Sequence, residues 1–237
     1  VYEKHAVPVK FVGHPLAEVI PEEVDKAALR KQLNLDEGAP LLALLPGSRM
    51  GEVSRLSRDF IDTARWCHEQ NPGLRFVVPF ATTATRVHFE ATLREAGAEG
   101  LPITLLDGFS REAMGASDVV LLASGTATLE ALLLNRPMVI AYRLSSLTYQ
   151  LAKRLLKVPY YSLPNNLAGS YVIEEYTQDE VRPDKLGPAV MSLLEDQAKC
   201  DALQQTFARI RQQLEKDSSR QAAKAVLHMI SGTDTAA

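Results

Sequence analysis

The chain has 237 residues, 46% of them hydrophobic, enough for a packed core in one large domain or a domain with an appendage. Its formal net charge of −3 gives no general electrostatic attraction to nucleic acid, and no apolar run approaches the ~20 residues of a membrane-spanning helix. Its two cysteines, Cys67 and Cys200, lie far apart with no metal-ligand spacing and read as buried, reduced thiols of a reducing compartment.

The chain opens on Val rather than Met, and VYEKHAVPVKFVGHP holds no helix start. It reads as part of a longer protein whose N-terminal portion is absent. Residues 7–12 form a short strand or an extended lead-in, ending at Gly13-His14-Pro15. Residues 21–34 read as a helix, with Pro21 near its first turn and Glu22, Glu23 and Asp25 placed favourably against the dipole. Residues 41–45 are an unbroken apolar run, as expected of a strand buried on both faces, and it stops at Pro46-Gly47-Ser48-Arg49. Behind that turn Val53, Leu56, Phe60, Ala64 and Cys67 keep the three-and-four spacing of a long helix, which Asn71-Pro72-Gly73 ends. A strand over 75–79, a helix over 85–96 and a strand over 103–106 follow. After the Asp107-Gly108 turn come a short helix from Arg111, a strand over 119–122, a helix over 126–134 and a strand over 138–142. Residues 146–157 read as a helix, and 160–163 as an extended segment running into the loop Pro164-Asn165-Asn166-Leu167-Ala168-Gly169.

From Pro183 the pattern is helical. Its stripes are Leu186, Val190 and Leu193; then Leu203, Phe207, Ile210 and Leu214; then Ala222, Val226 and Met229, with Ser218 and Ser219 as caps before the last. Strands alternating with helices of ten or more residues imply an α/β fold, a doubly wound, mostly parallel, Rossmann-like sheet of five or six strands with a C-terminal helical extension. The expected organisation is a lead-in or interdomain hinge over 1–20, a ligand-binding domain over 21–182, helices over 183–231 that pack on an absent N-terminal domain or a partner subunit, and a flexible tail over 232–237.

Three loops carry candidate chemistry. In an open α/β sheet ligands sit beyond the carboxyl ends of the strands. There Gly47 permits close approach, Ser48 donates or caps, and Arg49 is a fixed charge able to fork onto phosphate. The plainer reading is a capped turn with a solvated arginine. The motif is neither a P-loop nor a GxGxxG fingerprint. The second loop, Ser124-Gly125-Thr126, opens a helix whose free N–H groups and dipole suit an anion, with Glu130 one turn further in, where its carboxylate can accept from sugar hydroxyls. An ordinary helix cap is the alternative. Two such loops, each after a buried strand, favour one shared phosphate-bearing ligand. In the third, Asn165 either points at that ligand or serves the turn itself. His14 reads as a hinge or contact residue, or as a structural turn histidine. His5, His68, His88 and His228 show no ligand or triad spacing. Residues 147–158, LTYQLAKRLLKV, are basic and amphipathic. They read as a helix packed on the sheet with snorkelling basic side chains, or as one touching an anionic membrane. No Ser/His/Asp triad or close carboxylate pair is visible, so the general base of any enzyme would lie outside this chain.

Taken together, LPGSR with Glu52 after it, LLDGFSREAMGASDVVLLASGTATLEALL, RPMVIAYR, LAKRLLKVPYYSLPNNLAG and FVGHPL resemble lipid-A-disaccharide synthase. The resemblance covers nearly the whole chain, from about Val7 to Ile230. It implies an inverting GT-B glycosyltransferase, with this chain as its C-terminal, donor-nucleotide half. The reaction it implies joins UDP-2,3-diacylglucosamine to 2,3-diacylglucosamine 1-phosphate, releasing UDP, at the cytoplasmic face of the inner membrane of Gram-negative bacteria and with no metal or cofactor. By position it assigns Arg49 to the diphosphate, Gly47 and Ser48 to the same loop, Ser124, Gly125 and Thr126 to contacts at the helix start, Glu130 to the ribose hydroxyls and Asn165 to the donor. The acceptor pocket and catalytic base fall to the N-terminal domain. The terminal helices pack back on that domain or swap between subunits. Where the family has SLPNLLAG followed by Arg-Glu, this chain has Asn166 and then Ser170-Tyr171; Met50 stands where a small residue is commoner. Another UDP-sugar glycosyltransferase, a UDP-sugar 2-epimerase or a non-catalytic nucleotide-binding module are the competing readings.

Overall fold

In a computed structural model, residues 9–145 and 160–230 are described. The basic amphipathic stretch over 147–158, His5 and the tail from 231 lie outside the described residues, as do the first two residues of the expected lead-in strand. The elements are α1 (Pro15–Val19), α2 (Lys26–Gln32), β1 (Leu41–Leu45), α3 (Met50–Gln70), β2 (Arg75–Phe80), α4 (Thr83–Glu95), β3 (Ile103–Asp107), α5 (Ser110–Ala116), β4 (Val119–Ala123), α6 (Thr126–Leu133), β5 (Met138–Tyr142), α7 (Leu163–Ala168), β6 (Glu175–Thr177), α8 (Pro183–Glu195), α9 (Gln197–Leu214) and α10 (Ser218–Ile230).

The six strands form one sheet in the order β3-β2-β1-β4-β5-β6, every neighbouring pair parallel. The unbroken apolar runs of β1 and β4 are buried at every position, because helices cover both faces of a parallel sheet. The whole predicted stripe of α3 is buried, from Val53 to Cys67. Burial pushes the Cys67 thiol up to about 12, so it behaves as a small apolar group.

Strand order decides where a ligand can sit. The chain builds β1, β2 and β3 outward in one direction, then returns to lay β4 against the other edge of β1. The pair β1 and β4 is therefore the switch point, where connections leave toward opposite faces and open a crevice beyond the carboxyl ends. Leu45 pairs with Leu122, so the loops after these two strands leave the sheet side by side.

The sixth strand is Glu175–Thr177, a short half-buried edge strand whose residues give no apolar signal, and the segment over 160–163, expected to be extended, forms no strand of the sheet. The predicted loop after it is instead α7, which begins with Ser162 capping the Asn165 N–H and with Pro164 in its first turn. Contacts within this chain cross the positions 20 and 183. His14 Nδ1 caps α1, the His14 N–H donates to Leu214 O at 2.8 Å, and Gly13 takes φ +91° close against that carbonyl. Buried Arg211 of α9 clamps α1 to α6, donating to Leu133 O at 2.9 Å, Ala17 O at 3.0 Å and Ile20 O. Helix α8 crosses α3 and covers β4 and β5, and α9 packs on α6, α7 and α8. The first two C-terminal stripes are thus core of this domain. The third differs: Val226, Leu227, Met229 and Ile230 of α10 are exposed, Met229 at 81%.

Candidate functional site

A cleft of about 430 Å³ lies at the carboxyl ends of the strands. Gly47, Ser48, Arg49, Ser124, Gly125, Thr126 and Glu130 all line it. Six predicted residues from two loops about 75 positions apart, with Glu130 of α6, are thereby brought to one place. Glu52, Phe80, Gly108, Ser110 and Tyr142 are also among the lining residues.

The β4 side is the open one. Gly125 precedes α6 as its N-cap with no side-chain capping bond, and a Cβ built on it would meet nothing within 4 Å. The N–H of Thr128 is taken by Gly125 O at 3.1 Å, and Thr128 Oγ1 donates to that same oxygen at 2.7 Å. Gly125 and Thr126 are exposed, so the first turn of α6 faces the cleft with its positive dipole end, equivalent to about half an elementary charge. Ser124 Oγ donates to Tyr161 O at 3.3 Å, which ties this loop to the start of α7.

The β1 side is occupied from within. Glu52, three residues into α3, folds its carboxylate back over the turn. Its Oε2 accepts from the Ser48 N–H at 3.0 Å and the Arg49 N–H at 3.3 Å. Gly47 adopts φ +131°, and a Cβ there would lie 2.7 Å from that same oxygen. Glycine is required because the Glu52 side chain rests on it. The backbone N–H groups of Ser48 and Arg49 are therefore taken by an internal carboxylate. What this loop offers a ligand is the Arg49 guanidinium, which lines the cleft 84% exposed and 3.5 Å from Glu52 Oε1. The Arg-x-x-Glu spacing at a helix start is the signal that points to this carboxylate.

Glu130 lies on the cleft wall with its carboxylate held by Arg111, Nε to Oε1 at 2.7 Å. Arg111 gave no sign of itself in the sequence beyond opening a short helix, because the contact joins α5 to α6.

Asn165 is not among the residues lining this cleft. It is fully buried, and its amide is spent on the chain itself. Nδ2 donates to Ile173 O at 2.8 Å and Glu175 Oε1 at 2.7 Å; Oδ1 accepts from the Val172 and Ile173 N–H groups, both at 2.9 Å. Glu175 in turn accepts from the N–H groups of Tyr161 at 2.8 Å and Ser162 at 2.9 Å. Asn165 thus fastens α7 to β6. Asn166 donates to Tyr160 O and Ser162 O, and the Tyr171 hydroxyl accepts from the Glu175 N–H. His14, as the cap of α1, sits in the lead-in and not in the cleft. Among the described residues no cluster of three His, Cys, Asp or Glu side chains is placed to hold a metal ion, and no helix is long and apolar enough to cross a membrane.

The family model described as Lipid-A-disaccharide synthetase matches residues 1–230. A lipid-A-disaccharide synthase of Pseudomonas aeruginosa (strain LESB58) is 51% identical over 229 residues, covering 97% of this chain and 59% of that protein. The chain thus spans under two thirds of the length of the curated relatives it matches. Among solved structures, WaaG, a glycosyltransferase involved in lipopolysaccharide biosynthesis, is similar with a TM-score of 0.59 at 17% identity, over 88% of this chain and 51% of that one. The C-terminal domain of a glycosyl transferase group 1 family protein (LpcC) from Francisella tularensis is similar with a TM-score of 0.55 at 14% identity, over 85% of this chain and 98% of that one. At these identities the two structures speak for the fold alone, a parallel, doubly wound α/β sheet.

Proposed function

Because the chain belongs to the lipid-A-disaccharide synthetase family, we propose that it is the donor-binding part of a glycosyltransferase that moves 2,3-diacylglucosamine from its UDP derivative to 2,3-diacylglucosamine 1-phosphate. The observation that carries the reading is the meeting of the Gly47–Arg49 and Ser124–Thr126 loops in one cleft at the β1/β4 switch point.

The donor's diphosphate lies between Arg49 and the first turn of α6. As the acceptor hydroxyl oxygen bonds to the anomeric carbon, the bond to the diphosphate breaks and negative charge grows on the departing UDP. A guanidinium and a helix N-terminus already aimed at that position stabilise this charge without reorganising. Glu130 accepts hydrogen bonds from the ribose hydroxyls. No base within the cleft is assigned to the acceptor's proton; the reading places the base and the acyl-chain pocket in the part of the enzyme this chain does not span. The same reading puts the enzyme on the cytoplasmic face of the inner membrane as a peripheral protein, and leaves the exposed face of α10 for the rest of the protein or a swapped partner subunit.

Calorimetric titration with UDP is the test. The chain is expected to bind UDP, and Arg49→Ala to weaken binding by about tenfold or more, the size of one charge-assisted contact. A folded chain with no UDP affinity, or an Arg49→Ala variant that binds as wild type does, defeats the site assignment. Transfer assays on the complete enzyme with acylated and deacylated acceptor then separate this reaction from other UDP-sugar chemistry.

A further inference from the structure

The turn that opens α5 breaks three local rules at once. Phe109, its N-cap, is held in the left-handed region at φ +60°, which a bulky side chain rarely adopts. It supplies no side-chain cap to the helix. Arg111, the second residue of the helix, places a cation at the positive dipole end, beside Glu112, which carries the charge that end favours. Departures concentrated in one turn are expected where geometry serves a site. Here the turn abuts the cleft, since Gly108 and Ser110 line it. Its outcome is that the guanidinium of Arg111 reaches across to α6 and holds Glu130.

We propose that Arg111 is the positioning residue for Glu130. It anchors Oε1 so that Oε2 is presented to the vicinal hydroxyls of a nucleotide's ribose. Among the described residues no group donates to Oε2, and Glu130 is only partly buried, so that oxygen is available from the cleft. Without Arg111 the glutamate side chain regains its rotamers, and part of each binding event is spent on ordering it. The inference rests on the donor-site reading above and adds a ribose-selectivity device to it.

The experiment compares UDP with 2′-deoxy-UDP by calorimetry on the full chain, for wild type, Arg111→Ala, Glu130→Ala and the double variant. Wild type is expected to favour UDP by about tenfold or more, the size of a hydrogen bond to a charged group. Arg111→Ala is expected to shrink the ratio to about twofold or less, while 2′-deoxy-UDP affinity stays within about twofold, which also shows that the variant is folded. In the double variant the ratio should equal that of Glu130→Ala. If Arg111→Ala weakens both ligands equally and keeps the ratio, Arg111 acts only as a general charge and the inference falls alone. If wild type binds no UDP, the donor-site reading and this inference fall together.

Discussion

Replacing Asn165 with Ala separates two roles that a sequence cannot tell apart. The substitution removes four hydrogen bonds, from Nδ2 to Ile173 O and Glu175 Oε1 and to Oδ1 from the Val172 and Ile173 N–H groups. Ile173 is buried, so its N–H and C=O lose their partners where water does not reach. Each buried group left unpaired costs about 1–3 kcal/mol, whereas the Val172 N–H and the Glu175 carboxylate are partly hydrated and contribute less. The sum is about 3–5 kcal/mol, a large part of the ~5–15 kcal/mol typical of a domain. Urea unfolding followed by circular dichroism is expected to show the midpoint falling with an unchanged slope. UDP affinity of the fraction that remains folded should change by less than about threefold. A variant losing under about 1 kcal/mol of stability but tenfold or more of its UDP affinity would refute the architectural assignment and restore the ligand-facing one.

Four further outcomes are expected. Gly47→Ala forces a Cβ into Glu52 at φ +131° and should lower stability by about 2–4 kcal/mol in urea titrations, with loss of UDP binding; a neutral effect would mean that Glu52 does not rest on that turn. Arg49→Ala removes an 84% exposed side chain, so stability should move by no more than about 0.5 kcal/mol while the salt dependence of UDP binding flattens; an unchanged salt slope speaks against an Arg49–phosphate contact. Burial acts to raise the pKa of Asp118, but the Lys26 ammonium at 2.6 Å, the Leu41 N–H at 2.8 Å and Arg30 outweigh it and hold the carboxyl below its ordinary 3.8. Its contribution is therefore complete above about pH 4 and lost as pH falls through the lower folded value, and Asp118→Asn should be less stable at pH 7 yet flatter between pH 5 and 3. With Cys67 and Cys200 both buried and both thiols raised by burial, an aromatic disulfide reagent should label neither at pH 8 until urea unfolds the chain; fast labelling in the native state would contradict the packing.

The apolar runs of β1, β4 and β5 and the stripe of α3 were legible because strand and helix periods are local, and a strand buried on both faces announces itself by having no polar positions. The glycine-bearing turns after β1 and β4 were legible for the same reason, since a turn next to a buried strand needs no distant partner to be recognised. Strand order lay beyond that reach. That β4 lies against β1, so that Arg49 and Gly125 share a cleft, follows from crossover packing over some 75 residues. Edge strand β6 stayed hidden because three half-buried residues carry no period, and its position is set by Asn165 and Glu175 rather than by its own composition. An asparagine after a proline has the same side chain whether it faces a nucleotide or a buried carbonyl. Its burial against Ile173 appears only in the tertiary structure. Likewise the sequence presents Glu52 and Arg111 as helix-opening charges, and packing turns one onto Gly47 and the other onto Glu130, because hydrogen-bond partners distant in the chain are chosen by geometry that no local spacing encodes.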